Sequence, residues 1–329
     1  MTDIAAPAAT LDLQQLHARL IGRVRSPYEF VRRVDVNRDA AMYAGRLTRP
    51  LAGEDDLRLV CRLPSGVDVA VLAERLPWDS TFFGYNVAKL EALVPLVHGT
   101  AALEYGPAIS ALIDAAAVRN IRYLFASVDA RDIHLLQVLG DAGFALIETR
   151  LFYHRSLEDW SSDERFDVRL ASAADIPLLG ATARDIVNPY DRFHADPFVR
   201  GDDADRLMYK WVEASILEGF ADVVFVPNHP APRALATVRD HRDKWESWGL
   251  RMGQVVFGAV SPEFKGWYRK LIAESHHHLL AIGAQHVYMS TQPTNMAVMR
   301  IWETLGYRYG KSEHILRKIL PSRVAPRTP

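Results

Sequence analysis

Three groups of side chains in this sequence have the types and spacing to do chemistry. In "PEFKGWYRKLIAES" two cations, Lys265 and Arg269, bracket Gly266, Trp267 and Tyr268 at the start of an apolar-periodic run. Amide N–H groups at a helix start have no intrahelical partner and lie at the positive end of the helix dipole. With basic side chains beside them they would hold a phosphate. In "YDRFHADP", His194 stands beside Phe193 and between Asp191 and Asp196, and "RDH" brings Asp240 next to His241. Either histidine could take a proton from a nucleophile, directly or through one water. In "STQPTNMAVMRIWETLGY", Asn295 stands where a short β-branched run hands over to a helical one. That is a favourable N-cap, and Gly306 is the matching C′ residue.

A fourth group, "SHHH" at Ser275 to His278, invites a metal reading. Adjacent helix positions point about 100° apart, so three consecutive histidines cannot share one ion. They are expected on a solvated helix face, and no metal site is expected. The single cysteine, Cys61, excludes a disulfide within the chain and reads as a small buried apolar residue.

The elements that must position these groups belong to a globular protein. Among 329 residues 49% are hydrophobic and 24% charged, with a net charge of -1. That is room for two domains and no global field to recruit nucleic acid or anionic membrane. The start, "MTDIAAPAATLD", lacks a basic segment followed by an apolar core, and no uninterrupted apolar run of membrane-spanning length occurs. A cytoplasmic location is the expectation, with a disordered start and a frayed tail over 321–329.

Periodicity gives a helix at "LDLQQLHARLIGRV", a hairpin at "LRLVCRL" and "VDVAVLAERL" joined by "PSG", and a helix, strand, helix and strand from Ala102 to Arg155. The polar stretch "SLEDWSSDERF" marks a boundary. After it come a strand, two helices, three strands, the long helix from Pro262 to Gly283, and a last strand, helix and strand. Setting Ser127 on Ser290, an offset of 163, lays "YLFASVDARDIHLLQVLGDAGF" over "HVYMSTQPTNMAVMRIWETLGY" without a gap. Asp132 falls on Asn295, Gly143 on Gly306 and Phe144 on Tyr307. A strand, a helix, its stop glycine and the following aromatic all repeat, which predicts two related α/β domains in tandem.

This element order, with "TQxxN" before the last helix, resembles the GNAT superfamily of acyl-CoA-dependent N-acetyltransferases over about residues 166–318, and less closely over 67–154. The resemblance implies two tandem GNAT-like domains, each with a mixed, mostly antiparallel central sheet flanked by helices. The divisions expected are an N-terminal helical extension over 1–56, a first domain over 57–155, an acyl-CoA-binding domain over 166–320, and the tail. It further implies that acetyl-CoA, as acyl donor, lies where "GQVVFGAV" and "HVYMST" splay apart. Strand-edge amides from Phe257, Gly258, Ala259 and Val260 would hold the pantetheine. Lys265, Gly266, Trp267, Tyr268 and Arg269 would cradle the pyrophosphate. Asn295 would position the thioester, and Trp302 would line the exit side. The family's cradle, Arg/Gln-x-x-Gly-x-Gly/Ala, is reduced here to Lys-Gly-Trp-Tyr-Arg-Lys. Seven residues after Asn295 the family often keeps a tyrosine that protonates the leaving thiolate; here that residue is Trp302, whose indole N–H is no general acid. Tyr288, Tyr268 and Tyr307 are the alternatives, and His194 is the candidate base. The first half has Glu104 where a phosphate would want a cation, so it is expected to bind no acyl-CoA and to complete the acceptor pocket or the fold.

"RLPWDSTFFGYNVAKLEAL" and "RFHADPFV" resemble segments of the sugar-nucleotide acetyltransferases typified by dTDP-fucosamine acetyltransferase. On that resemblance Trp78, Phe82 and Phe83, with Phe193 and His194, would bind the acceptor, by stacking on a base or sugar ring. The expected partners are a small-molecule amine, a nucleotide sugar among them, and a second copy of the chain in a homodimer. Two other readings stay open. One is a catalytically silent acyl-CoA-binding or interaction module. The other is an acyltransferase for a peptide, amino acid or antibiotic amine.

Overall fold

The structure, a computed structural model, describes residues 12–97, 104–186 and 188–321. The first residues and the tail beyond 321 lie outside it. The described residues form two compact units.

The first unit holds residues 12–29, 36–97, 104–147 and 313–321. Its elements are α1 (Leu13–Leu20), α2 (Val36–Leu47), β1 (Leu59–Arg62), β2 (Asp68–Arg75), α3 (Pro77–Phe83), β3 (Asn86–Pro95), α4 (Gly106–Val118), β4 (Ile121–Asp129) and α5 (Ile133–Asp141). Then β5 (Ala145–Ser156) leads into the second unit. β1, β2 and β3 pair antiparallel, and β3 runs parallel to β4. One face of this sheet packs Leu112 and Ile109 of α4 and Leu139 of α5. The other packs Leu16 and Leu20 of α1 and Ala44 and Leu47 of α2 against Ala70, Leu72 and Val94. Cys61 is half-buried at the edge of the first of these cores rather than fully inside it.

The second unit holds residues 30–35, 148–186 and 188–312. It runs β6 (Val168–Leu170), α6 (Ile176–Asp185), α7 (Gly201–Leu217), β7 (Val223–Pro227), β8 (Ala234–Arg239), α8 (Trp245–Trp248), β9 (Met252–Val260), α9 (Trp267–Ala281), β10 (His286–Thr291), α10 (Met296–Thr304) and the start of β11 (Arg308–Ile319). β6 to β9 form an antiparallel meander, and β9 then pairs parallel with β10. Leu271, Ile272 and Leu279 of α9 and Met299 and Trp302 of α10 pack on one face of this sheet, with Val255, Val287 and Met289.

The repeat is realised in detail. Asp132 and Asn295 have nearly the same backbone angles (φ -86, ψ 64 and φ -85, ψ 61). Gly143 and Gly306 are both left-handed (φ 80 and φ 81), a conformation that favours glycine. Phe144 and Tyr307 are both buried. The strands that follow them are exchanged. β5, from the first half, pairs antiparallel with β10 through Leu151 to Ser156. β11, from the second half, pairs antiparallel with β4 through Glu313 to Ile319. The units are therefore not the contiguous stretches 57–155 and 166–320. Each repeat presents an equivalent strand-edge to either closing strand, so local sequence cannot select the partner.

Three elements carry no clear periodic signal. β3 interleaves Lys89 and Glu91 among apolar residues, and those two charges pair with each other at 2.9 Å. α2 and α3 are short and mixed. In α3, Ser80 is buried, donates to Leu76 O (2.7 Å) and accepts from Val87 N–H (3.0 Å). Gly84 ends the helix at φ 72. Thus the serine and glycine of "WDSTFFG" serve the turn between α3 and β3. No helix among the described residues is long and apolar enough to cross a membrane.

Candidate active site

The second unit has a parted pair of strands at its centre. β9 and β10 pair at three positions only, ending at Tyr288 opposite Gln254. Beyond that point β9 stays with β8, and β10 stays with β5. A β-bulge on β9 explains the divergence: Thr237 faces Phe257 and Val238 faces Val255, leaving Val256 as an extra residue. Bulges bend the strand that carries them. Ser261 N–H bonds Arg233 O (2.9 Å), and Phe257 N–H bonds Thr237 Oγ1 (3.1 Å). By the alternation of an antiparallel ladder, Ala259 also turns its amide to β8, while Gly258 and Val260 turn theirs to the opening. Of the four strand-edge residues expected, two therefore offer free-edge amides.

α9 starts at Trp267, five residues later than its periodicity suggests. A 3₁₀ turn over Pro262–Phe264 precedes it, and Gly266 is its N-cap at φ 92, with no side-chain cap. A β-carbon added at Gly266 would have open space around it, so the conformation and not crowding calls for glycine. The N–H groups of the first turn, Trp267 to Arg269, have no intrahelical acceptor. Lys265 and Arg269 are exposed beside them, Arg269 lying 3.6 Å from Glu164. Lys270 sits over the Trp267 ring (4.8 Å).

On the face shared by α9 and α10, Trp302 is only 1% exposed. It is a core residue, as Leu139 is at the equivalent place in the first unit, and it does not line a surface. Its Nε1–H donates to the Tyr268 hydroxyl at 3.0 Å. The Tyr268 ring packs on Gly258, where an added β-carbon would lie 2.9 Å from Cε2. Burial raises the Tyr268 pKa and the Trp302 bond partly offsets it, so the phenol keeps its proton at neutral pH. Tyr307 is buried and bonded to His276 Nε2 (2.7 Å), which removes it as a proton donor for the cleft.

The opposite face of the sheet carries a polar trio where pairing ends. Tyr288 O–H donates to Gln254 Oε1 (2.7 Å), and His241 Nε2 lies 3.0 Å from the same oxygen and 3.3 Å from the phenol. The shared acceptor assigns the proton of His241 to Nε2 and leaves the lone pair on Nδ1. Burial, then the charge of Lys244, lowers the His241 pKa to about 4, so the imidazole is neutral near pH 7. Its φ of 54 is unusual for a residue other than glycine, a kind of strain that gathers at functional sites. Sequence placed His241 at a strand end beside Asp240; its nearness to Tyr288 depends on the β9–β10 register. Gln254 carried no sequence signal.

Other expected site residues fall elsewhere. His194 is locked between two carboxylates, Nδ1 at 2.6 Å from Asp191 and Nε2 at 3.2 Å from Asp205. Burial alone would lower its pKa, but bonds and charges from Asp191 and Asp205 outweigh it and raise the value. With both nitrogens engaged, His194 is a loop clamp and a poor base. Phe193 is buried under Arg192 (4.3 Å), so it offers no open stacking face. Asn295 holds the N-cap place without capping: its Nδ2 donates to Thr291 Oγ1 (3.2 Å), whereas Asp132 accepts from Leu135 N–H (3.1 Å). Gln292, the glutamine of "TQxxN", accepts from Asn188 Nδ2 (2.5 Å) and donates to Glu148. It ties Asn188, in the loop that follows α6, to β5. Trp78, Phe82 and Phe83 form a half-buried stack on α3 in the first unit (Trp78–Phe82 5.7 Å, Phe82–Phe83 5.0 Å). The histidines of "SHHH" are not a solvated face. Ser275 and His276 are fully buried, and the three rings diverge to Tyr307, to Glu164 O and to Asp240.

The first unit has a matching parted pair with different chemistry. β3 leaves β4 after Leu90, and its bulge residue is Glu91. Glu91 is paired with Arg46 (2.9 Å) and Lys89 (2.9 Å). Counting from the bulge, Pro95 stands where Val260 stands, and proline has no N–H to offer.

Known structures share this architecture. A GCN5-related N-acetyltransferase from Sphaerobacter thermophilus superposes with TM-score 0.59 at 10% identity, over 94% of this chain and 93% of that one. A tandem GNAT protein from the clavulanic acid biosynthesis pathway gives 0.53 at 13% identity, over 96% and 98%. A glucosamine N-acetyltransferase region of a fungal multi-domain GH3 beta-N-acetylglucosaminidase gives 0.57 at 14% identity, over 96% of this chain and 39% of that one. The fold is thus that of tandem GCN5-related N-acetyltransferases. The sequence matches no family model and no characterised protein.

Proposed function

We propose that the protein is an acyl-CoA-dependent N-acyltransferase whose donor binds in the second unit. The observation that carries this reading is the parting of β9 and β10 at Gln254 and Tyr288, in front of the uncapped, cation-flanked start of α9. The bound thioester supplies an activated carbonyl. The Gly258 and Val260 amides align the pantetheine as an added strand would be aligned, and the α9 amides with Lys265 and Arg269 take the phosphates. The first unit, with Pro95 and its neutralised Glu91, serves the fold rather than a second donor.

The two faces divide the proton work. As the acceptor's amine nitrogen bonds to the carbonyl carbon, the amine proton passes to water on the face that carries Tyr288 and Gln254, which His241 braces from beneath. As the carbon–sulfur bond breaks, Tyr268 gives its proton to the thiolate. Trp302, whose Nε1–H bonds the Tyr268 hydroxyl, positions that phenol. An amino sugar, including one carried on a nucleotide, is the acceptor we favour. The glucosamine N-acetyltransferase region among the structural neighbours supports it.

Calorimetry with acetyl-CoA tests the donor site. Lys265→Ala combined with Arg269→Ala should weaken binding at least tenfold; unchanged affinity would sink the cradle. Thiol release with amino sugars and amino-sugar nucleotides then separates an enzyme from a silent binder, which would bind tightly and release nothing.

A further inference from the structure

Residues 30–35 belong to the second unit, although the chain on either side of them belongs to the first. Val31 and Val34 are buried and close a turn through Val34 N–H to Val31 O (2.9 Å). Phe30 seats on Gly310, where an added β-carbon would lie 2.4 Å from the ring. At the other end Asp35 N–H bonds Trp248 O (2.7 Å). These anchors meet the trio where β9 and β10 part. The Phe30 ring is 6.4 Å from Tyr288, and the Trp248 ring is 5.5 Å from His241. The strap therefore crosses the face on which the acceptor's amine must approach.

Its surroundings are aromatic and basic. Phe30 also meets Phe152 and His154, each at 5.8 Å, and Lys311 Nζ lies over the Phe30 and Phe152 rings at 5.4 and 4.8 Å. Arg32 and Arg308 are exposed, and both act on His154, whose pKa burial and then these two charges lower. The nearby Arg33 is already bonded to Glu158. Cations around an aromatic wall suit a molecule with an apolar ring face and a negative group.

We propose that the strap forms one wall of the acceptor site, and that the acceptor is a primary amine that also carries an anionic group, held by Arg32, Arg308 and Lys311 over Phe30. This rests on the acyltransferase reading for the place of the amine, but anion preference can be measured apart from it.

The full chain is titrated in a calorimeter with glucosamine, glucosamine 6-phosphate and muramic acid, each with and without CoA. The phosphorylated or carboxylated sugar should bind at least tenfold more tightly than glucosamine, and which of the two gains identifies the anion. Arg32→Gln with Arg308→Gln, both at exposed positions, should abolish that preference while leaving CoA affinity within twofold. Phe30→Leu should weaken all three sugars alike. Equal binding of the three, no binding of either anionic sugar, or a preference that survives the double substitution would overturn the proposal. Failure of acetyl-CoA to bind counts against the acyltransferase reading instead, and the titrations without CoA still decide the anion preference.

Discussion

Tyr268 shows how a residue's role can hang on one contact. A hydroxyl bonded by Trp302 at 3.0 Å and packed on Gly258 is held in place, protonated and close to the opening. Tyr268→Phe removes the proton and leaves a buried indole N–H without its acceptor, at a cost of about 1–3 kcal/mol in stability. Turnover should fall by about 10²-fold or more, the size of a general-acid contribution, with acetyl-CoA affinity nearly unchanged. A purely structural role predicts the reverse: lower stability with kcat preserved. Sequence alone offered Tyr288 first, with Tyr268 and Tyr307 as further candidates. The structure separates them, because Tyr307 is tied to His276 and Tyr288 lies on the other face with His241 and Gln254. His194 was attractive in sequence because carboxylates flank it, and those same carboxylates are what occupy it.

At the scale of elements, the repeat makes a controlled comparison. α5 and α10 begin with the same backbone geometry, but only Asp132 caps its helix. Asp132→Ala should cost about 1 kcal/mol, and Asn295→Ala clearly less, in thermal or urea unfolding. Equal losses would mean that Asn295 caps in solution, and would weaken the case that its side chain is kept for a ligand. The strand-helix-glycine frame was legible because caps and stops are local. The register of β9 on β10 was not, since the bulge at Val256 arises from pairing with β8 across a connection that itself contains α8. The start of α9 was misplaced for a local reason: Gly266 at φ 92 ends a 3₁₀ turn before the helix proper begins.

At the scale of the whole molecule, burial of histidines sets a pH dependence. Burial, followed by neighbouring positive charges, lowers the pKa of His241 and of His286 to about 4 each. His276 and His154 are lowered too, while His194 is raised. Below pH ~6.5 the unfolded chain takes up protons that these folded sites refuse, so stability is full above that pH and falls toward 4. His241 and His286 should each cost about 2 kcal/mol by pH 5, and His194 offsets part of this. Denaturant midpoints at pH 7 and pH 5 measure it. A flat profile, or a slope unchanged in His286→Gln, would contradict the assignment of these rings as buried and neutral.

By itself the sequence determined the tandem α/β plan, the helix stops at Gly143 and Gly306, and the cationic helix start at Lys265 to Arg269. Each follows from side-chain types acting within one or two turns of chain. Tertiary structure alone decided three things: that β5 and β11 change places, that residues 30–35 join the second unit, and that Tyr268 meets Trp302 while His241 meets Tyr288. Those contacts join residues dozens to hundreds of positions apart. Equivalent strand edges, a buried turn and a one-residue bulge select them, and no local pattern records which edge, which face or which register is chosen.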